Sequence, residues 1–300
     1  MDCPERAMKK MCGLFGKTRQ AWYKTHRVKE VKEMQHDVVL NEVKYIRKKL
    51  PRCGLRKLHF KLKETLKRHS IELGRDRLAD LLRDHNLLIK NKKGRKTTNS
   101  NHHFRRYANT AKDLDITRIN QLWVCDITYI RIGRNFSYLS LITDAYSRKI
   151  VGWSLREDLT HKGPMEALEM ALKQRTGKLD LTHHSDRGIQ YCCDDYVKVL
   201  KKNEVTISMT QNGDPYENAL AERMNRTLKE EFLQYYISTS YDQAKKIIAR
   251  SIQLYNNYRP HMSLDYLTPD QVYYDLEMQR LANPAQLTLF TSPEQACKGV

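Results

Sequence analysis

The chain has 300 residues, enough for two units of ordinary size, and a formal net charge of +19 at pH 7. It has no apolar run of about 18 residues and no leader pattern at Met1, so a membrane span and a secreted protein are not expected. Its seven cysteines form no C-x-x-C pair, and Cys192 and Cys193 are adjacent, which argues against a disulfide framework or a zinc site and for a reducing compartment. The charge is one-sided: residues 1–110 hold 30 Lys plus Arg against 11 Asp plus Glu, whereas residues 111–300 hold 24 of each. The whole excess lies in the first third and points to a polyanion partner there.

In chain order, residues 5–27 read as two short helices about a turn. Arg6 to Cys12 forms the first, Gly13 and Gly16 loosen the chain, and Thr18 caps a second helix through Trp22 and Tyr23. This is a helix-turn-helix pattern. A longer helix is expected from Val31 to Leu50, stopped by Pro51 and Gly54. Leu55, Leu58, Leu62 and Leu66, then Leu78, Leu81 and Leu82, repeat at helical spacing and read as core faces. The cations between them, Arg56, Lys57, Arg75 and Arg77, are left to meet phosphate. Residues 89–101 read as a basic linker carrying Lys92, Lys93, Arg95 and Lys96. HHFRRY (102–107) follows, where Arg105 and Arg106 alternate with aromatic rings suited to stacking.

The periodicity changes at about 121. WVCDITYI (123–130) alternates as a strand that puts Val124, Asp126, Thr128 and Ile130 on one face. Phe136 to Asp144 and Lys149 to Leu155 read as the next two strands, joined by a turn at Tyr146-Ser147-Arg148. A helix from Pro164 to Arg175 has its proline in the first turn. Leu179 to Ser185 is a short polar strand, Tyr191 to Asn203 a helix, Val205 to Thr210 a strand, and Gln211 to Pro215 a loop. The order describes a ribonuclease-H-like α/β core preceded by an all-helical basic region with helix-turn-helix character. Such a fold brings distant carboxylates together at neighbouring strand ends.

Three acids stand out. Asp126 interrupts an apolar strand, where a lone carboxylate is costly to desolvate, so it needs a cation, water, or an arginine such as Arg131 or Arg187. Asp186 lies in the turn of HSDRGIQY (184–191), a position that by itself reads as turn chemistry. Glu222 sits on NALAERMNRTLKEE (218–231), opposite the apolar stripe of Ala221, Met224, Leu228 and Phe232, together with Arg226 and Lys229. It reads either as half of a solvated pair with Arg226 or as a metal ligand, with Arg226 and Lys229 reaching phosphate. Thirty-five residues separate Asp186 from Glu222. Carboxylates gathered from separate elements suit divalent metals and phosphodiester chemistry. Asp194, Asp195, Glu230 and Glu231 read as solvated helix charges, and Asp144 as a turn residue. Trp123 reads as core, and His184 as strand-end packing or a phosphate or water contact.

WVCDITYI, HSDRGIQY, NALAERMNRTLKEE and YNNYRPHMSLDYLTP (255–269), in this order, resemble the integrase-core transposases of bacterial insertion sequences in the IS-three group, specifically the product of the second reading frame. The resemblance implies a site of Asp126, Asp186 and Glu222 holding two divalent cations, Mg²⁺ or Mn²⁺ in its place. It implies cleavage of element ends and strand transfer on double-stranded DNA, a homo-oligomer, an upstream-frame product as a further partner, and a bacterial, cytoplasmic, nucleoid-associated protein with no membrane partner. It adds Arg259 and His261 as DNA or site contacts. The organisation expected is a DNA-binding region at 1–88, a linker at 89–118, a catalytic core at 119–276 and a tail at 277–300. Two rivals are a ribonuclease-H-like nuclease without joining and a non-catalytic DNA-binding regulator.

Overall fold

A computed structural model describes residues 8, 11–16, 18–89, 105–133, 135–175, 179–211, 218–234 and 240–282. The linker cations Lys92, Lys93, Arg95 and Lys96 and most of the loop after Gln211 lie outside these. The chain divides into two compact units, Met1–Asn91 and Lys92–Val300. No helix among the described residues is long and apolar enough to cross a membrane.

In the first unit, Thr18 caps α1 (Arg19–Lys49), its Oγ1 accepting from Ala21 N at 3.1 Å. The expected break before Val31 is absent, so the second short helix and the longer one are a single element. No Gly or Pro falls in the stretch, and i, i+4 pairs such as His26–Glu30 (3.2 Å) and Lys29–Glu33 (3.7 Å) run through it. Helices α2 (Leu55–Arg68) and α3 (Arg75–Asp84) follow as a packed pair. Their leucine stripes are buried as read: Leu58, Leu62 and Leu66 on one, Leu78, Leu81 and Leu82 on the other. Helix α2 also packs on α1, whose C-terminal half buries Val39, Val43 and Ile46. Arg56, Arg75 and Arg77 are exposed, and Lys57 is half-buried.

The second unit is built on a five-stranded sheet of order β3-β2-β1-β4-β5: β1 (Leu122–Ile132), β2 (Asn135–Asp144), β3 (Ile150–Arg156), β4 (Leu181–Ser185) and β5 (Val205–Met209). The first three are antiparallel neighbours, and β4 joins β1 in parallel, with β5 parallel to β4. This mixed topology is the ribonuclease-H-like arrangement expected. Alternation along β1 sends Trp123 and Cys125 into the main core, against Ile142, Leu181, Tyr196 and Ile207. Leu122 and Val124 face the other way, toward Ala145 and Ala221.

Helix α4 (Lys162–Gln174) covers β2 and β3, with Pro164 in its first turn as read. Its approach is so close that a Cβ on Gly152 would lie 2.1 Å from the Ala167 carbonyl oxygen. The single helix expected from Tyr191 is two pieces, α5 (Ile189–Cys192) and α6 (Asp194–Lys202), because Cys193 is extended. The break puts Asp194 and Asp195 in the first turn of α6, where they complement its dipole. Next come α7 (Ala219–Leu228), which continues as a wider π turn over Lys229–Leu233, then α8 (Tyr241–Tyr258) and α9 (Pro269–Ala282). Buried Lys149 lies over the rings of Tyr273 and Tyr274 and 2.9 Å from Asp270, which fastens α9 to the β2–β3 turn.

Candidate active site

The parallel ladder between β1 and β4 runs only from Leu122↔Thr182 to Val124↔His184. Past that pair the strands part, and the next outward position on the same face is Asp126 on β1 and Asp186 just beyond the end of β4. Continued by two residues, that register sets Asp126, midway along β1, beside Asp186, just past the carboxyl end of β4, and the carboxyl end of a parallel strand is where open α/β sheets place their ligands.

Asp126 is held from two sides. Its Oδ1 accepts from the Ile127 amide at 2.8 Å, and its Oδ2 accepts from Asn225 Nδ2 at 2.8 Å. The pairing with Arg131 weighed from sequence is absent, because Arg131 Nε turns to the Gly133 carbonyl oxygen at the hairpin end. Burial, then the neighbouring Asp186, push the Asp126 carboxyl up to about 7, with Glu222 adding to the rise and the Asn225 and Ile127 bonds opposing it. Asp186 Oδ1 accepts from the Gly188 amide at 2.9 Å, so the turn reading holds alongside its place next to Asp126. A Cβ on Gly188 would lie 2.9 Å from that same oxygen. Gly188→Ala is therefore expected to leave melting within about 1 kcal/mol of wild type while displacing Asp186, which is checked by comparing thermal unfolding with turnover on DNA.

Helix α7 supplies the third acid. Asn218 Nδ2 donates to the Cys125 carbonyl oxygen at 3.1 Å, and Ala221 packs beside Leu122 and Val124, so the helix starts against the strand carrying Asp126. On a wheel of 100° per residue, Asn218, Glu222, Asn225 and Lys229 form one stripe. Asn225 reaches Asp126, and half-buried Lys229 has its pKa lowered by burial and raised by Asp126. Glu222 stands exposed on the same stripe. Among the described residues no three His, Cys, Asp or Glu side chains are drawn to common ligand spacing. The donor set still fits a hard divalent cation: oxygen ligands only, with one half-buried acid made costly to ionise by burial first and by Asp186 and Glu222 after it.

Sequence reasoning passed over Asn218 and Asn225. The signal was available, since a helix-interior asparagine is a poor helix former and a buried one needs a partner. Among the remaining candidates, Arg226 pairs with Glu230 at 3.0 Å and not with Glu222. Arg105 and Arg106 are exposed. Arg259 is 6% exposed, and its Nε and Nη2 donate to Glu231 at 2.8 and 2.6 Å while Nη1 donates to His261 Nε2 at 2.8 Å. That guanidinium is engaged inside the protein, not presented to a polyanion, and Glu231 is no solvated helix charge. His184 is buried with Nδ1 2.9 Å from Ser208 Oγ, which is the packing role. Trp123 is core, and Asp144 caps its turn.

A sheet of this topology, with one acid within β1, one just past β4 and one on a following helix, is of the integrase type. Two integrase core domain families match, one over residues 116–215 and one over residues 203–269. The chain is 36% identical over 265 residues to the insertion element IS600 uncharacterized 31 kDa protein of Shigella sonnei, covering 86% of this chain and 96% of that protein. It is 35% identical over 164 residues to transposase InsF for insertion sequence IS3fB of Escherichia coli (strain K12), covering 54% of this chain and 56% of InsF. The chain belongs to the IS3-group transposases of the integrase-core family. It is similar among solved structures to the HTLV-2 integrase catalytic core domain in complex with magnesium (TM-score 0.43, 16% identity, 52% of this chain and 97% of that one). It is also similar to a chain of the simian T-cell lymphotropic virus intasome in complex with PP2A regulatory subunit B56 gamma (TM-score 0.45, 17% identity, 74% of this chain and 70% of that one).

Proposed function

We propose that this transposase cuts double-stranded DNA at the ends of its element and transfers the resulting strands to target DNA, with Asp126, Asp186 and Glu222 as its catalytic acids. The observation that carries the reading is the matched register of Asp126 and Asp186 beyond the point where β1 and β4 separate. Two divalent cations, Mg²⁺ by preference, would supply an activated water or DNA 3′-hydroxyl and stabilise the leaving oxygen. The chain's own contribution is placement. Asn225 and the Ile127 amide orient Asp126, the Gly188 amide orients Asp186, and α7, tied to β1 by Asn218 and Asn225, carries Glu222 as an exposed side chain.

Double-stranded DNA is the partner, the basic unit 1–88 and the linker 89–118 meet its backbone, and the enzyme acts as a homo-oligomer, since two ends must be joined. An upstream-frame product is a further partner. If the basic third meets about 6–10 phosphates, affinity drops on the order of 10³–10⁵-fold between 50 and 200 mM salt.

The test is incubation of the full chain with labelled element-end duplex and Mg²⁺, with separate scoring of nicked and target-joined products. Joined product supports the reading. Fragments alone mean a nuclease, and binding without any Mg²⁺-dependent cleavage means a regulator; either result overturns it.

A further inference from the structure

Two neighbouring arginines of the sheet unit, one half-buried and one exposed, make no ion pair among the described residues. Arg156 is met by Asp158 and Glu166, and Arg259 by Glu231. Arg148, which closes the β2–β3 turn, is half-buried and has no ion pair among the described residues. The acid in its own turn is already saturated. Asp144 Oδ1 accepts from Ser147 N at 2.8 Å and Ser147 Oγ at 2.6 Å, and its Oδ2 accepts from Asn120 N at 2.8 Å.

The second arginine is Arg223, exposed on α7 directly after Glu222. A single buried hydroxyl ties the two sites together. Tyr255 OH lies 2.9 Å from the Arg148 carbonyl oxygen and 3.3 Å from Sδ of Met224, the residue after Arg223. Ala145 and Ala221 pack in one cluster alongside, so turn and helix are fixed side by side. Burial lowers the Arg148 pKa; Tyr255 and Asp144 oppose the fall, and the nearby Arg223 charge adds a smaller push in the same direction as burial. A half-buried guanidinium beside a second cation is costly unless something anionic comes to it.

The backbone marks the position too. Arg148 has φ 64, in the left-handed region that favours glycine. An arginine kept in that conformation is held there by something other than backbone preference.

We infer that Arg148 and Arg223 form a clamp for one phosphodiester of the DNA backbone, with the phosphate between the two guanidiniums. The inference rests on the DNA reading above and deepens it. Planar forks facing one phosphate give directional, charge-assisted hydrogen bonds that a lysine pair would not. Because Arg223 adjoins Glu222 on α7, a phosphate held here sets where the bound strand lies along the helix that carries the third acid.

The test compares the full wild-type chain with Arg148→Gly, Arg223→Ala and the double variant, using labelled element-end duplex titrated across a salt series, with thermal melting in parallel. Each single variant is expected to lose about tenfold in affinity at 100 mM salt, with a salt slope shallower by about 0.9. The double variant loses little more than the singles, because both groups serve one phosphate. Arg148→Gly melts at or above the wild-type temperature, because glycine suits the left-handed turn. Wild-type affinity and slope in both single variants overturn the clamp alone. So does a lower affinity in Arg148→Gly that comes with a fallen melting temperature and an unchanged slope. A wild-type chain that shows no salt-dependent DNA binding overturns the DNA reading and the clamp with it.

Discussion

Asp126→Asn is expected to lower both nicking and joining on the order of 10³-fold or more while DNA affinity stays close to wild type. The replacement keeps the size of the side chain and a carbonyl oxygen able to accept from Asn225 or Ile127, so the strand end and α7 stay in place. It removes one negative charge that burial, Asp186 and Glu222 all make costly. The Asp126 carboxyl is pushed up to about 7 first by burial and then by Asp186, so its ionisation is costly without a cation. Folding stability of the variant in the absence of metal is therefore expected to match or exceed that of wild type, as when a functional site is relieved of its own repulsion. Added Mg²⁺ should raise the melting temperature of the wild-type chain by mass action and leave that of Asp126→Asn nearly unmoved. Strand transfer at wild-type rate in the variant, or an equal Mg²⁺ shift in both proteins, would remove Asp126 from the chemistry.

Arg259→Ala is expected to cost about 3–5 kcal/mol of stability, because it leaves Glu231 in a largely closed environment without its charge partner. Side-chain exposure is 7% for Arg259 and 22% for Glu231, and the two guanidinium nitrogens make a bidentate contact with the carboxylate. The pair fastens the π turn after α7 to the residue that ends α8, so its loss loosens the far end of the helix bearing Glu222. Glu231→Gln should show a similar loss. Replacing both by apolar residues of like volume, Arg259→Met with Glu231→Leu, should recover most of it. Chemical denaturation measures all of these. A direct DNA contact by Arg259 predicts the opposite pattern: little change in stability and a shallower salt slope.

The strands of the core were legible because their signals are local. WVCDITYI alternates, and the structure puts Val124 and Asp126 on the face opposite Trp123 and Cys125, as alternation requires. The leucine stripes of α2 and α3 were legible for the same reason. Local signals also misled. The helix ending at Leu14, the turn at 15–16 and the cap at Thr18 are as read, but a short second helix and a separate one from Val31 were expected, and nothing in residues 27–31 stops a helix, so α1 runs through. Glu231 follows Glu230 on an apparently polar helix face, yet its partner lies 28 residues on, and no helical wheel carries that contact.

By itself the sequence determined the mixed strand and helix order, the confinement of excess positive charge to the first third, and membership of the transposase family, and it singled out Asp126, Asp186 and Glu222 as candidate metal ligands. These follow from residue type and short-range periodicity. Only the tertiary structure decided that β4 pairs with β1 in the register that leads Asp186 to Asp126, that Asn218 and Asn225 bind α7 to that strand, and that Arg259 faces inward while Arg148 and Arg223 make no ion pair among the described residues. The reason is that strand register and charge pairing across tens of residues are set by the joint packing of the whole core, whose energy no single segment contains.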